Sequence, residues 1–307
     1  MCMKGSSLLR DIPDQLREQL AEQGFSLQDN TFRVSVDDRD EIITWAIEDG
    51  KSSVALWHVA HWDSQQLDVR CARIDKIITA EEASLALMFW RELSNHARRA
   101  KIDNIFFRAA ADNSVAIKGA EDAGFRTIGI YLDFQNEVRG SAMMNKLHNS
   151  VRTAEDRDVQ DIVNMADFIL DDRFHRDGGF PEVGIARLWK TSVYNAVTQW
   201  ADKVYVYERA GEIAGFIIMT DDSSVTIETK VAVKRIFLIS VLPKHRRQGV
   251  GKALVQAAIQ YCSENTCPYL MVGTQSSNIS ALSLYQSCGF KVNSVCQELS
   301  WWLYGDQ

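Results

Sequence analysis

The stretch Ile239-Ser240-Val241-Leu242-Pro243-Lys244-His245-Arg246-Arg247-Gln248-Gly249-Val250-Gly251-Lys252 decides the fold. Residues 235–241, rich in β-branched and aromatic side chains, read as a strand that runs into a basic, glycine-containing turn. A helix is predicted next, with apolar residues at Val250, Ala253, Leu254, Ala257, Ala258 and Tyr261, the helical period. Gly249 and Gly251 leave the turn bare of side chains where the helix begins, so free backbone N–H groups and the positive end of the helix dipole face outward together. Arg246, Arg247, Gln248, Gly249, Val250, Gly251 and Lys252 are therefore read as a phosphate cradle. Four cations, Lys244, Arg246, Arg247 and Lys252, gather there without an Asp or Glu, on a chain of net charge −7. The alternative is a solvated basic turn ahead of a surface helix. The pattern Arg-x-x-Gly-x-Gly is neither a Walker loop, which needs Gly-Lys-Ser/Thr, nor a dinucleotide fingerprint, which needs a third glycine.

Working outward, the 307 residues are 46% hydrophobic and 24% charged, a globular composition long enough for two domains. No apolar run approaches a membrane span and the first ten residues lack a signal-peptide core, so a cytoplasmic location and no membrane partner are expected. The acidic net charge argues against nucleic acid. Six cysteines without metal-ligand spacing read as reduced thiols, and no metal is expected. His58 and His61 stand three apart in strand-like sequence, which would turn them to opposite faces.

In chain order, residues 1–137 read as one unit. A helix over 12–23 precedes strands over 32–36, 41–45 and 53–61, then a loop and strand over 62–78. A helix over 81–100 carries the core stripe Ala86, Phe89, Trp90, Leu93 and Ala97, and a strand over 104–109, a helix over 113–123 and a strand over 125–134 follow. Residues 138–150 read as a linker, and 151–307 as a second unit. There a helix opens at Thr153-Ala154-Glu155-Asp156, another follows Pro181, strands span 203–208 and 213–220, and after the cradle helix come a strand (269–273), a helix (278–287) and a strand (290–303).

The two units end alike. Residues 112–125 align with 277–290 at an offset of 165, matching Asn113 to Asn278, Ala116 to Ala281, Gly124 to Gly289 and Phe125 to Phe290. At the positions equivalent to the cradle the first unit has Glu81-Glu82-Ala83-Ser84-Leu85-Ala86, without glycine, and Ala120 stands opposite Tyr285. The first unit reads as a worn copy of the second, kept for structure or for shaping the substrate site.

The Arg-x-x-Gly-x-Gly turn between strand and helix resembles the pyrophosphate-binding motif of the GNAT superfamily of acyl-CoA-dependent N-acetyltransferases. The resemblance covers 151–304. It implies an α/β (α+β) fold of two GNAT-like domains, each a mixed, mainly antiparallel sheet flanked by helices, with acetyl-CoA as acyl-donor cosubstrate and a primary amine as acceptor. Backbone groups of Ile239 and Val241 at the end of the central strand would meet the donor, the Val241 amide being the candidate to polarise the thioester carbonyl. In Leu284-Tyr285-Gln286-Ser287-Cys288-Gly289-Phe290, Tyr285 resembles the general-acid tyrosine of many such enzymes; the alternative is a core tyrosine with its hydroxyl on a backbone carbonyl. Asn278 caps its helix, or faces the pantetheine arm, or both. His245 would assist phosphate binding. No amine-activating base stands out, Asp221, Asp222 and Glu228 lying near the right strands without a spacing argument.

Asp172-Arg173-Phe174-His175, Gly179-Phe180-Pro181, Leu188-Trp189, Val272-Gly273-Thr274-Gln275-Ser276-Ser277-Asn278 and Trp301-Trp302-Leu303-Tyr304 resemble the dTDP-fucosamine acetyltransferase family. That resemblance implies a nucleotide-linked amino-deoxysugar as acceptor, with Arg173, Phe174 and His175 on the substrate side. A homodimer is compatible with it. Protein N-termini, lysines or polyamines remain the other acceptor class, and an acyl-CoA-binding sensor or scaffold the reading outside enzymes.

Overall fold

The computed structural model describes residues 3–8, 41–48, 51–78, 83–138, 148–222 and 231–303. The helix expected over 12–23, the strand over 32–36, most of the 138–150 linker, Glu81, Glu82, Glu228 and Tyr304 lie outside them.

The first part of the chain runs β1 (Met3–Leu8), β2 (Glu41–Glu48), β3 (Lys51–Val59), α1 (His61–Leu67), β4 (Cys71–Ile78), α2 (Ala83–Arg99), β5 (Asn104–Ala110), α3 (Ser114–Asp122) and β6 (Arg126–Glu137). Then come β7 (Val151–Thr153), α4 (Val159–Asn164), α5 (Arg173–Asp177), α6 (Glu182–Asn195), β8 (Lys203–Arg209), β9 (Glu212–Asp221) and β10 (Val233–Val241). The chain closes with α7 (Val250–Glu264), β11 (Tyr269–Gln275), α8 (Ile279–Ser287) and β12 (Lys291–Trp302).

Two compact units result. One comprises Met1–Ile130, Gly179–Pro181 and Cys296–Gln307, with strands in the order β1-β2-β3-β4-β5-β12. The other comprises Tyr131–Gly178 and Glu182–Val295, with the order β6-β11-β10-β9-β8-β7. Each sheet is antiparallel except for one pair, β4 with β5 and β10 with β11, where a helix makes the crossover that parallel strands need. The first core gathers Trp57, Phe89, Trp90, Leu93 and Phe107 around α2. The second unit has a core on each face of its sheet: Leu254, Ala258, Val272, Phe134 and Tyr285 under α7 and α8, and Ile162, Val193, Phe216 and Ile218 under α4 and α6.

The internal repeat is closer than fourteen aligned residues suggested. Both ends of β5 and β11, of α3 and α8, and of β6 and β12 stand 165 residues apart. Asn113 caps α3 by accepting from the Ala116 amide at 3.0 Å, as Asn278 caps α8 by accepting from the Ala281 amide at 3.1 Å. Gly124 and Gly289 follow with φ of 111° and 86°, the left-handed step that stops each helix.

One feature departs from the division at 138–150. Chain order would put β6 at the edge of the first sheet and β12 at the edge of the second. Instead β5 pairs with β12 (Asn104 opposite Trp302) and β11 with β6 (Tyr269 opposite Glu137). Because β6 and β12 hold equivalent places 165 residues apart and the two observed pairings have equivalent registers, local pattern does not choose between the partners.

Three smaller corrections follow. Residues 62–67, read as loop, belong to a helix that opens at His61 and buries Gln66 and Leu67. His61 therefore opens α1 rather than sharing a strand with His58, and the His58 imidazole pairs with Asp75. The start expected at Thr153 is a capping box two residues later, formed by Glu155 and Asp158.

Candidate active site

Two features of β10 create an opening in the second unit. The Leu242 amide donates to Ala214 O at 3.0 Å, so Leu242/Ala214, Ser240/Phe216 and Leu238/Ile218 are the hydrogen-bonded pairs with β9. Alternation turns the amides of Ile239 and Val241 to the other side. There β11 stays in register with β10 only from Val233–Tyr269 to Ile236–Val272, and a bulge lies between Ile236 and Leu238. Beyond it the two parallel strands part, leaving the backbone of Ile239 and Val241 without a ladder on that side. The first unit parts its strands in the same way, since β4 and β5 pair only from Cys71–Asn104 to Ile74–Phe107.

The turn after β10 is a short 3-10 segment, Pro243–His245, followed by Arg247 at φ 60° and Gly249 at φ 86°. Gly249 is the N-cap of the 15-residue α7, and among the described residues no side chain caps it. The first amides of α7 are thus unclaimed by the helix or by a cap. A Cβ on Gly249 would meet nothing within 4 Å, so the turn is open at that position. Gly251 serves another purpose: a Cβ there would come within 3.2 Å of Leu284, which brings α7 close to α8. Arg246, Arg247, Gln248 and Lys252 are exposed around the turn, and Val250 is buried beneath it.

The charge of this turn is smaller than its sequence implied. Glu212, from the β8–β9 hairpin, binds Lys244 at 2.6 Å and His245 at 3.0 Å, and these two partners hold its carboxyl below the usual range. His245 and Lys244 thus share Glu212, a partner 33 positions from the histidine. Arg246 donates through Nε to Val241 O at 3.0 Å, tying the turn to the strand end. Gln248 is held by Arg209 and by Lys244 O.

Tyr285 sits on the inner face of α8, 3% exposed, between Phe134 (6.0 Å) and Phe290 (5.8 Å). Among the described residues nothing hydrogen-bonds its hydroxyl, so the carbonyl partner expected of a purely structural tyrosine is missing. Burial, then the neighbouring Tyr131 and Cys288, push its pKa up and keep the phenol protonated. Asn278 uses its Oδ1 as the α8 cap.

Residues 171–178 and the β11–α8 turn form one knot. Asp172 Oδ1 accepts from the amides of Phe174 (2.7 Å) and His175 (3.1 Å), while Oδ2 accepts from Trp189 Nε1 and meets His175 Nδ1, both at 2.7 Å. Arg176 donates to Asp171 at 3.0 Å, and both reach the Ser277 hydroxyl, which lies 2.9 Å from Asp171 Oδ2. Phe174 is buried, with the Arg173 guanidinium 4.4 Å from its ring centre.

Of the acids considered as bases, Asp222 is buried on Arg235 (2.6 Å) and Asp221 pairs with Lys234 (2.7 Å), so both are spent. Arg235 also binds Asp133 of β6 at 2.7 Å. Tyr131, two residues earlier on the same face of β6, lays its hydroxyl over Gly273, where a Cβ would lie 1.7 Å from it. Sequence reasoning missed both β6 residues, because nothing in local pattern assigns β6 to this sheet. Among the described residues no group of three His, Cys, Asp or Glu side chains could hold a metal, and no helix is long and apolar enough to cross a membrane.

Residues 168–290 match the sequence model of the Acetyltransferase (GNAT) family. Among curated proteins, the chain is similar to human N-acetyltransferase 8, 39% identical over 57 residues, or 19% of this chain and 25% of that protein. It is also similar to the mycothiol acetyltransferase of Renibacterium salmoninarum, 30% identical over 105 residues, or 30% of this chain and 31% of that protein. The matches thus span about a quarter to a third of these relatives' length. Among solved structures, a GCN5-related N-acetyltransferase from Sphaerobacter thermophilus superposes with a TM-score of 0.60 at 11% identity, over 98% of this chain and 96% of that one. A tandem GNAT protein from the clavulanic acid biosynthesis pathway does so at 0.57 and 12%, over the full length of both. The fold is therefore the tandem GNAT fold.

Proposed function

We propose that this chain is an N-acetyltransferase that moves the acetyl group of acetyl-CoA to a primary amine. The observation that carries the reading is the uncapped, open N-terminus of α7 beside the parted ends of β10 and β11, with Tyr285 facing inward from α8. In this reading the amides around Gly249, with Arg246, Arg247 and Lys252, hold the diphosphate of the cosubstrate. Gln248, Val250 and Gly251 shape that turn, and Asn278 borders the pantetheine arm. The Ile239 and Val241 backbones line the arm, and the Val241 amide polarises the thioester carbonyl. Tyr285, kept neutral by burial, gives its proton to the departing sulfur.

As acceptor we propose the amino group of a nucleotide-linked amino-deoxysugar, with Arg173, Phe174 and His175 on its side. The support is the resemblance carried by 172–189 and 272–278. The first unit, with parted strands, alanine at position 120 and no glycine turn in its sequence, serves as scaffold in this reading.

The test is thiol release from acetyl-CoA by the purified chain across three amine classes: an amino-deoxysugar nucleotide, lysine-bearing or free N-terminal peptides, and polyamines. Turnover with the sugar nucleotide above the others supports the reading. Turnover confined to peptides or polyamines replaces the acceptor. Coenzyme A binding without turnover on any of the three favours the sensor.

A further inference from the structure

The acetyltransferase reading lacks a group to take the proton of the incoming ammonium, and the second unit contains one that it does not use. We infer that His175 is the general base, with Asp172 its positioning residue.

The hydrogen bonds around Asp172 dictate the form of the imidazole. Its carboxylate can only accept, and it already takes the amides of Phe174 and His175 and the indole of Trp189. Facing His175 Nδ1 at 2.7 Å, it requires that nitrogen to carry the hydrogen. A neutral imidazole with hydrogen on Nδ1 presents a bare lone pair on Nε2. Among the described residues Nε2 has no partner, and the His175 side chain is 20% exposed, so it is open to a ligand.

Position agrees with form. Asp171 and Arg176, on either side of the pair, both hold Ser277 in the turn that leads from β11 to Asn278. The segment bearing His175 is thereby pinned at the end of β11 where it has parted from β10. Asp172 is 8% exposed, and its four contacts fix the ring as the third member of a catalytic triad fixes its histidine. The charged groups around the imidazole are Asp172, Asp171 and Arg176, with Arg173 and Asp177 on the same short helix, while α6 contributes the Trp189 indole.

The step balances without another reagent. His175 Nε2 accepts one proton from the acceptor's ammonium, and the freed amine lone pair forms the C–N bond to the acetyl carbon. The C–S bond breaks, its electrons leave on sulfur, and Tyr285 protonates the sulfur. The tetrahedral nitrogen gives up its second proton to solvent, solvent restores the tyrosine hydroxyl, and the His175 imidazolium releases its proton to solvent, so that one proton leaves per turnover.

The proposal rests on the acetyltransferase reading, and the experiment separates the two. Rates with the accepted amine are measured from pH 5.5 to 9 for the unaltered protein, His175→Gln, His175→Ala with and without added imidazole, and Asp172→Asn. Coenzyme A binding by calorimetry serves as the folding control. His175→Gln is expected to lower kcat roughly 100-fold or more, with coenzyme A affinity unchanged and the acidic limb of the profile gone. Imidazole is expected to restore part of the His175→Ala rate, which it could not do for a structural residue. Asp172→Asn is expected to shift that limb and lower the rate less. His175→Gln within twofold of the unaltered protein, with the same pH profile, overturns the base assignment alone. A protein that binds coenzyme A and acetylates no amine overturns the acetyltransferase reading and the base with it. Nitrogen-15 spectra of labelled histidine, assigned with His175→Gln, give a readout without turnover: hydrogen on Nδ1 is expected, and hydrogen on Nε2 overturns the proposal.

Discussion

Gly249→Ala isolates the cradle, because the molecule contains its own control. Gly249 and Gly211 have φ of 86° and 80°, and a Cβ on either meets nothing within 4 Å. An alanine at either site therefore costs only the left-handed backbone, roughly 1–2 kcal/mol. For a chain of this size that is about 2–8 °C in Tm, at roughly 2–4 °C per kcal/mol. The two variants should lose similar stability, and their ligand behaviour should differ. At Gly249 the new methyl sits at the N-cap of α7, where the proposed diphosphate site lies, and is expected to lengthen or remove a charge-assisted hydrogen bond to phosphate. Such a bond contributes about 1.5–3 kcal/mol, which is a ten- to 150-fold rise in the Kd for coenzyme A. Gly211 lies in the β8–β9 hairpin, and Gly211→Ala should bind as the unaltered protein does. Calorimetric titration of both variants with coenzyme A, after Tm measurement, makes the comparison. Equal affinities, with equal losses in Tm, would refute the placement of the diphosphate at this turn.

Tyr285→Phe should change stability by less than about 1 kcal/mol, because its hydroxyl has no partner among the described residues to lose, while kcat should fall about 100- to 10,000-fold with coenzyme A affinity retained; stopped-flow thiol detection measures it. Alkaline stability should depend on buried phenols: burial pushes Tyr205 up to about 12 and raises Tyr285 as well. A raised folded pKa gives stability that is fully present below pH ~10 and is lost as pH rises through the folded value. Tyr205→Phe should therefore flatten the fall in Tm above pH 10, read by calorimetry at stepped pH. Asp133→Asn leaves the Arg235 guanidinium with Asp222 as its remaining carboxylate; that side chain is 26% exposed, so a loss of about 2 kcal/mol is expected, below the roughly 3–5 for a fully buried pair. Urea unfolding of the variant checks it.

What could be read in the chain was what local chemistry writes there. Two glycines flanking Val250, a strand before them and a helical period after them were enough to locate the turn. The capping asparagines and Gly-Phe stops were enough to find the repeat, because each is required by the helix end it makes. What could not be read depended on partners distant in sequence. Glu212 pairs with Lys244 and His245 from another hairpin. The choice of β12 by β5 and of β6 by β11 is invisible because the two pairings have equivalent registers, and Asp133 and Tyr131 were hidden with it. The pairing of His175 with Asp172 was within reach, being an i, i+3 contact at a helix start, but a neighbouring acid signals a base only once the Trp189 indole is seen to fix that acid.

A crystal structure of the chain with coenzyme A bears on all of this at once. The diphosphate is expected against the amides of residues 248–252, with the sulfur within hydrogen-bonding reach of the Tyr285 hydroxyl. A diphosphate bound elsewhere, or a sulfur remote from that phenol, would contradict both assignments.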